Sequence, residues 1–214
     1  MIQALEEMVT LLYPRRCPLC QDILTDKAAL ICMKCRTKAV PIRGPKCKTC
    51  GKPVASLETE YCPDCQKKTH FFTSGRAVFL YEKEIRKSVY QFKFHNKREY
   101  AGFYVSEMER VCGDEIRTWN PDVIIPIPMY KRKKRQRGYN QAEILAKCLG
   151  RKEREINLKN AFKTSTNALE LKKVLLVDDI YTTGVTMDEA AKVLWMAGAE
   201  EVHFLVLCTG KPDC

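Results

Sequence analysis

The pattern of apolar positions along this 214-residue chain changes character near residue 75. Beyond that point, short unbroken apolar runs alternate with longer stretches in which apolar residues recur every three or four positions. Unbroken runs suit strands buried on both faces of a parallel sheet, and the wider spacing suits helices with one face in a core. The predicted strands are Ala77–Tyr81, Val123–Ile127, Val174–Val177 and Val202–Leu207. The predicted helices are Glu84–Phe94, with Ile85, Val89 and Phe92 on one face, then Phe103–Arg117, Asn140–Leu149 and Val185–Ala197, the last closed by Gly198. Such alternation with right-handed crossovers predicts an α/β fold, a mostly parallel sheet with helices on both faces. Tyr90, Phe92 and Phe94 alternate at the end of a predicted helix; the run invites a base-stacking reading, but such aromatics are more often core, and the core is where they are expected.

Before residue 75 the pattern is broken by cysteines, which fall as four CxxC pairs: Cys17/Cys20, Cys32/Cys35, Cys47/Cys50 and Cys62/Cys65. Each pair begins fifteen residues after the one before. Four thiolates suit tetrahedral Zn²⁺, each CxxC forming a knuckle that presents two sulfurs, so two zinc ions are implied. Equal spacing allows adjacent or interleaved pairing, and short loops favour the adjacent one. Disulfides are the weaker alternative, since Met1–Tyr13 is a short amphipathic stretch with Glu6 and Glu7, unlike a secretory leader. Cys112, Cys148 and Cys208 lack ligand spacing and read as packing residues, and Cys214 as a terminal thiol. The expected division is an N-terminal helix and zinc module over residues 1–72 and an α/β domain over 73–214, with the boundary near His70–Gly75. A module this small needs its metal to fold, so chelation is expected to unfold it and leave the α/β domain largely intact. No apolar run approaches a membrane span, and a cytoplasmic protein is expected.

Candidate chemistry lies where the strand Val174–Val177 runs into Asp178, Asp179 and then Thr182-Thr183-Gly184 at the start of a helix. Ligands of open α/β sheets bind at the carboxyl ends of strands, and a helix N-terminus with hydroxyls and free N–H groups favours a phosphate dianion. A plain helix cap needs neither two acids nor this glycine. The net charge is +11, whereas residues 141–214 carry a slight acidic excess. Much of the basicity is in one predicted loop, Lys131–Arg137, where Lys131, Arg132, Lys133, Lys134, Arg135 and Arg137 lie together. Cations so crowded repel unless an anion lies among them, which points to a polyanionic partner: a pyrophosphate, a nucleic acid, or both. His70, His95 and His203 are scattered and form no acid–base constellation.

The segment VLLVDDIYTTGVT resembles the phosphoribosyl-pyrophosphate (PRPP) motif of type I phosphoribosyltransferases. The resemblance implies that Thr182, Thr183, Gly184, Val185 and Thr186 cradle a 5′-phosphate and that Asp178 and Asp179 bind ribose hydroxyls near a Mg²⁺ carried by the pyrophosphate. It also implies that the basic loop takes the pyrophosphate position. With the four CxxC pairs and the RGYNQ segment (Arg137–Gln141), nearly the whole chain resembles the ComF family of competence proteins. That implies single-stranded DNA handling in natural transformation, alongside a helicase-like partner. The alternative is an active phosphoribosyltransferase acting on an unidentified acceptor. One departure bears on this choice. The segment from Cys148 to the Asn157-x-x-x-Ala161-Phe162 stretch is shorter than in ComF relatives, and it corresponds to the loop that closes over PRPP, so binding is expected to survive better than turnover.

Overall fold

The computed structural model describes residues 13–26, 28–152 and 172–211. The expected N-terminal helix, the Asn157–Phe162 stretch and Cys214 lie outside the described residues. In chain order the elements are α1 (Met33–Arg36), α2 (Pro63–Lys67), β1 (Ser74–Leu80), α3 (Lys83–Phe94), a 3-10 turn (Arg98–Tyr100), α4 (Ala101–Trp119), β2 (Val123–Pro126), α5 (Lys131–Arg137), α6 (Gln141–Lys152), β3 (Lys173–Tyr181), α7 (Val185–Met196) and β4 (Glu201–Thr209). The strands form one wholly parallel sheet in the order β1-β4-β3-β2.

The central strands β3 and β4 alternate between two cores, as the two-residue period of a strand requires. Leu175, Val177, Leu205 and Leu207 face a cluster built with Val89 and Phe92 of α3, Tyr104 and Met108 of α4, and Leu145 and Leu149 of α6. Val174, Leu176, Val202, Phe204 and Val206 face the other cluster, with Met187 and Ala191 of α7. The unequal ends of the strands open a notch. Pro126 closes the edge strand β2 opposite Val177, and Ile127 N–H makes the last bond to the Val177 carbonyl at 2.9 Å. β3 runs on past the expected Val177, paired with β4 alone through Asp178↔Val206, Ile180↔Cys208 and Tyr181↔Thr209. The acid pair therefore lies inside a strand, at the point where its other neighbour has stopped.

Two expectations are corrected. The basic segment Lys131–Arg137 is a helix, closed by Gly138 at φ +79°, and not a loop. Lys, Arg and Gln are good helix formers, but a stretch with no apolar face shows no periodicity to read. Of the three alternating aromatics, only Phe92 is buried, while Tyr90 and Phe94 are about half exposed, because residues two apart on a helix face different ways.

The cysteine region is a twofold repeat. In each half the first CxxC sits in a hairpin closed by one antiparallel bridge, Arg16–Ile23 or Lys46–Pro53. The second leads into a short helix, α1 after Cys32 or α2 after Cys62. Pairing is adjacent, with Cys17, Cys20, Cys32 and Cys35 in one group and Cys47, Cys50, Cys62 and Cys65 in the other.

The two halves pack into opposite cores. Cys17, Leu19, Ile31 and Cys35 belong to the cluster of α3, α4 and α6, whereas Cys47, Cys50, Cys62 and Phe72 belong to that of α7. Backbone bonds reinforce the joint, from Ile42 N–H to the Val78 carbonyl at 2.8 Å and from Gly75 N–H to the Thr49 carbonyl at 2.6 Å. The approach is so close that a Cβ on Gly51, at φ +73°, would lie 2.6 Å from the Gly75 carbonyl oxygen. This shared packing bears on the expectation that chelation leaves the α/β domain largely intact. Removing metal from the cysteine groups should lower the thermal midpoint of the whole chain, read by far-ultraviolet circular dichroism. A chelated protein that retained an unshifted α/β transition would contradict the shared cores.

Candidate functional site

The site is built on the notch at the carboxyl end of β3. Asp179 is 7% exposed, and its carboxylate accepts a 2.9 Å ion pair from Lys93 Nζ in the last turn of α3. The Asp178 carboxylate accepts the N–H of Asp179 at 2.8 Å. Burial pushes the Asp178 carboxyl up to about 7, helped by the neighbouring Asp179 charge and opposed by that N–H and by the Lys93 and Arg137 cations. In the acid pair one carboxylate is held by a lysine, and burial and the neighbouring charge favour the protonated form of the other.

The RGYNQ segment positions this lysine. Tyr139 donates its hydroxyl hydrogen to the Phe92 carbonyl, and the Gln141 amide donates to the Lys93 carbonyl at 3.3 Å. Asn140 donates to the Ile127 carbonyl at 3.0 Å and accepts the Ala142 N–H at 3.1 Å, which ties the end of β2 to the start of α6. Arg137 lies with its guanidinium 4.7 Å from the ring of Phe94. Sequence spacing reveals neither Lys93 nor the two bonds that pin the end of α3, because Tyr139 and Phe92, like Gln141 and Lys93, are more than forty residues apart in sequence.

Thr182, Thr183, Val185 and Thr186 are exposed at the start of α7, beside Asp178. Gly184 is buried at φ +81°, and a Cβ there would fall 2.6 Å from the Tyr181 hydroxyl, so only glycine fits the turn. The turn's free N–H groups and three threonine hydroxyls offer donors to a phosphate. The basic helix α5 starts beyond the end of β2, and its residues 131–136 are exposed. Of its cations, Arg137 is half-buried, and its charge works to lower the Asp178 carboxyl.

A further cluster, absent from the sequence reading, anchors the phosphate-loop helix to the second cysteine group. Asp188 in the first turn of α7 accepts bonds from His70 Nδ1 at 2.8 Å, Lys68 Nζ at 2.5 Å and the Phe71 N–H at 3.1 Å. Burial works to raise the Asp188 carboxyl, but Lys68, His70 and the Phe71 N–H outweigh it and hold the carboxyl below its usual range. His70 Nε2 lies 3.5 Å from Cys65 Sγ, so one imidazole touches both the cysteine group and the helix. His95 and His203 stay apart from the acid pair, the latter stacked on Trp119 at 4.7 Å.

The cysteine groups fit a zinc ion. All four sulfurs of each group lie within 4.8 Å of one another, with Cys20–Cys32 at 3.7 Å and Cys50–Cys62 at 3.5 Å. A tetrahedron of sulfurs at the zinc–thiolate distance has edges of roughly 3.8 Å. Among the described residues every cysteine is free of disulfide bonding.

Comparison with known proteins agrees with this arrangement. Residues 105–214 match the phosphoribosyl transferase domain family, and residues 8–66 match the double zinc ribbon domain. Competence protein ComFC of Bacillus subtilis is 29% identical over 195 residues, covering 78% of this chain and 79% of that protein. Competence protein F of Haemophilus influenzae is 28% identical over 218 residues, covering 88% and 94%. DNA utilization protein YhgH of Escherichia coli (strain K12) is 26% identical over 227 residues, covering 91% and 97%.

The raised Asp178 carboxyl sets a pH dependence. Between its ordinary value of 3.8 and about 7, the folded chain holds a proton that the unfolded chain gives up, so this group costs stability as pH rises through that window. Asp178→Asn should remove that cost. Thermal unfolding at pH 5 and pH 8 should show the variant gaining on wild type at the higher pH, and parallel midpoints would contradict a raised Asp178.

Proposed function

The chain belongs to the phosphoribosyl transferase domain family and carries a double zinc ribbon ahead of that domain, the arrangement of the ComF competence proteins, and from this premise we propose that it handles single-stranded DNA in natural transformation. In this reading a ribose phosphate, PRPP or a nucleoside 5′-phosphate, binds at the carboxyl edge of the sheet, and α5 takes nucleic-acid phosphates or the pyrophosphate. The observation that carries it is the meeting of three features at one sheet edge: the acid pair, the threonine–glycine turn and an exposed helix in which six of seven residues are basic. The names of the relatives, two competence proteins and a DNA utilization protein, support the biological setting.

Each residue has a distinct task. Thr182, Thr183, Thr186 and the N–H groups around Gly184 and Val185 hold the 5′-phosphate. Asp178 and Asp179 accept the ribose hydroxyls, and Lys93 pairs with Asp179 beneath them. A Mg²⁺ arriving with PRPP would neutralise its pyrophosphate. Two zinc ions, one on Cys17, Cys20, Cys32 and Cys35 and one on Cys47, Cys50, Cys62 and Cys65, would close the ribbons by structural coordination. The family resemblance also favours a helicase-like partner and a cytoplasmic site of action. Among the described residues no helix is long and apolar enough to cross a membrane.

A second reading, phosphoribosyl transfer to an acceptor, is favoured by one observation, the acid pair set directly before the threonine–glycine turn, where carboxylates can stabilise an oxocarbenium-like state. Release of pyrophosphate from PRPP in the presence of a base would support it.

Two outcomes test the main reading. PRPP with Mg²⁺ at a hundredfold excess over its Kd should raise the thermal midpoint by roughly 5–10 °C. Asp178→Ala with Asp179→Ala should remove most of that shift, and no shift in wild type at millimolar ligand would reject the site. Replacing Lys133, Lys134 and Arg135 by alanine should weaken single-stranded DNA binding and flatten its logarithmic salt slope by about 0.7 per lost phosphate contact. Unchanged affinity and slope would remove α5 from the DNA interface.

A further inference from the structure

Helix α3 has two faces of unusual character. Ile85, Ser88, Val89 and Phe92 are buried against the sheet and α4. On the outer side Tyr90 and Phe94, one helical turn apart, are 51% and 48% exposed, with ring centroids 4.9 Å from each other. The His95 ring lies 5.6 Å from Tyr90, and the Arg137 guanidinium lies 4.7 Å from Phe94. Lys87 is exposed one turn before Tyr90 on the same face. Arg137 belongs to α5, so the aromatic patch runs directly into the all-basic helix.

A scattered surface apolar residue needs no explanation. Here three rings and a stacked guanidinium are grouped, and the patch is bordered by cations with no acidic residue in α5. Flat π-faces beside a row of cations match the two halves of an unpaired nucleotide, its base and its phosphate. A duplex keeps its base faces stacked inside and offers phosphates and base edges but no free face. We propose that Tyr90, Phe94 and His95 form a base-stacking platform for single-stranded nucleic acid, with Arg137 and the α5 lysines holding the adjoining phosphates. This rests on the DNA-handling reading above and adds the surface that distinguishes single strands from duplex.

The test is fluorescence anisotropy with a labelled oligothymidylate and a duplex of equal length, using the full chain. Tyr90→Ala with Phe94→Ala should weaken single-strand binding roughly tenfold or more while leaving the salt slope at its wild-type value, because the cations remain. Tyr90→Leu with Phe94→Leu, which keeps apolar bulk and removes the ring faces, should lose binding likewise. Tyr90→Phe should keep it. An unchanged thermal midpoint and an unchanged response to PRPP confirm that the variants are folded. If wild type binds the oligothymidylate and the alanine pair binds it equally well, the platform is wrong and the DNA-handling reading stands. If the leucine pair binds as wild type, the patch is a general apolar contact suited to a protein partner, and the stacking proposal fails. If wild type binds no single strand even at low salt, the DNA-handling reading falls and the platform with it.

Discussion

Two carboxylates placed side by side at the end of a buried strand are the constraint around which this molecule is arranged. Asp178 and Asp179 cannot both stay charged in a site short of water unless a cation stands among them. The cation is Lys93, brought from a different helix to within 2.9 Å of Asp179. Removing it would leave a buried charge without compensation, a cost of about 3–5 kcal/mol by analogy with broken buried pairs. Holding it requires the end of α3 to be pinned, and Tyr139 and Gln141 pin it through the carbonyls of Phe92 and Lys93. The early stop of β2 leaves the acids without a strand neighbour on that side.

The second cysteine group is joined to the same site by a short route. Asp188 lies in the first turn of α7, directly after the threonine–glycine turn, and its carboxylate is satisfied wholly by residues 68–71. His70 touches Cys65 on its other side. Tyr181, at the end of β3, stacks on Phe204 at 4.8 Å and meets Phe72 edge-on at 6.3 Å, while its hydroxyl closes on Gly184. The turn that offers donors to a phosphate therefore rests on side chains whose positions depend on the ribbon. The ribbons are part of the sheet's packing.

Much of this was legible in the sequence because it is local. The strands and helices follow from short apolar runs, the cysteine groups from spacing, and the acid pair and threonine–glycine turn from a single unbroken motif. What escaped was long-range or lacked a period. Lys93 and Asp179 lie far apart in sequence, and nothing in KFHNK marks a half-buried, paired lysine. Asp188 and His70 read as an ordinary helix acid and a stray histidine. The helix of Lys131–Arg137 has no apolar face to betray it, and the alternating Tyr90, Phe92 and Phe94 suggested a shared burial that helical geometry forbids. Adjacent pairing of the cysteines was favoured by loop length and is what the structure has.

The central claim is that the notch beside β3 holds a ribose phosphate, with the 5′-phosphate on the turn at Thr182–Thr186 and the pyrophosphate toward the basic helix. Phosphorus-31 magnetic resonance of PRPP and Mg²⁺ titrated with the protein reads both ends of the ligand at once. The account predicts that the 5′-phosphate and pyrophosphate lines both shift or broaden with wild type, and that a Thr182→Val, Thr183→Val variant selectively restores the 5′-phosphate line toward its free position. Lines that stay at their free positions with wild type at millimolar concentrations would contradict it.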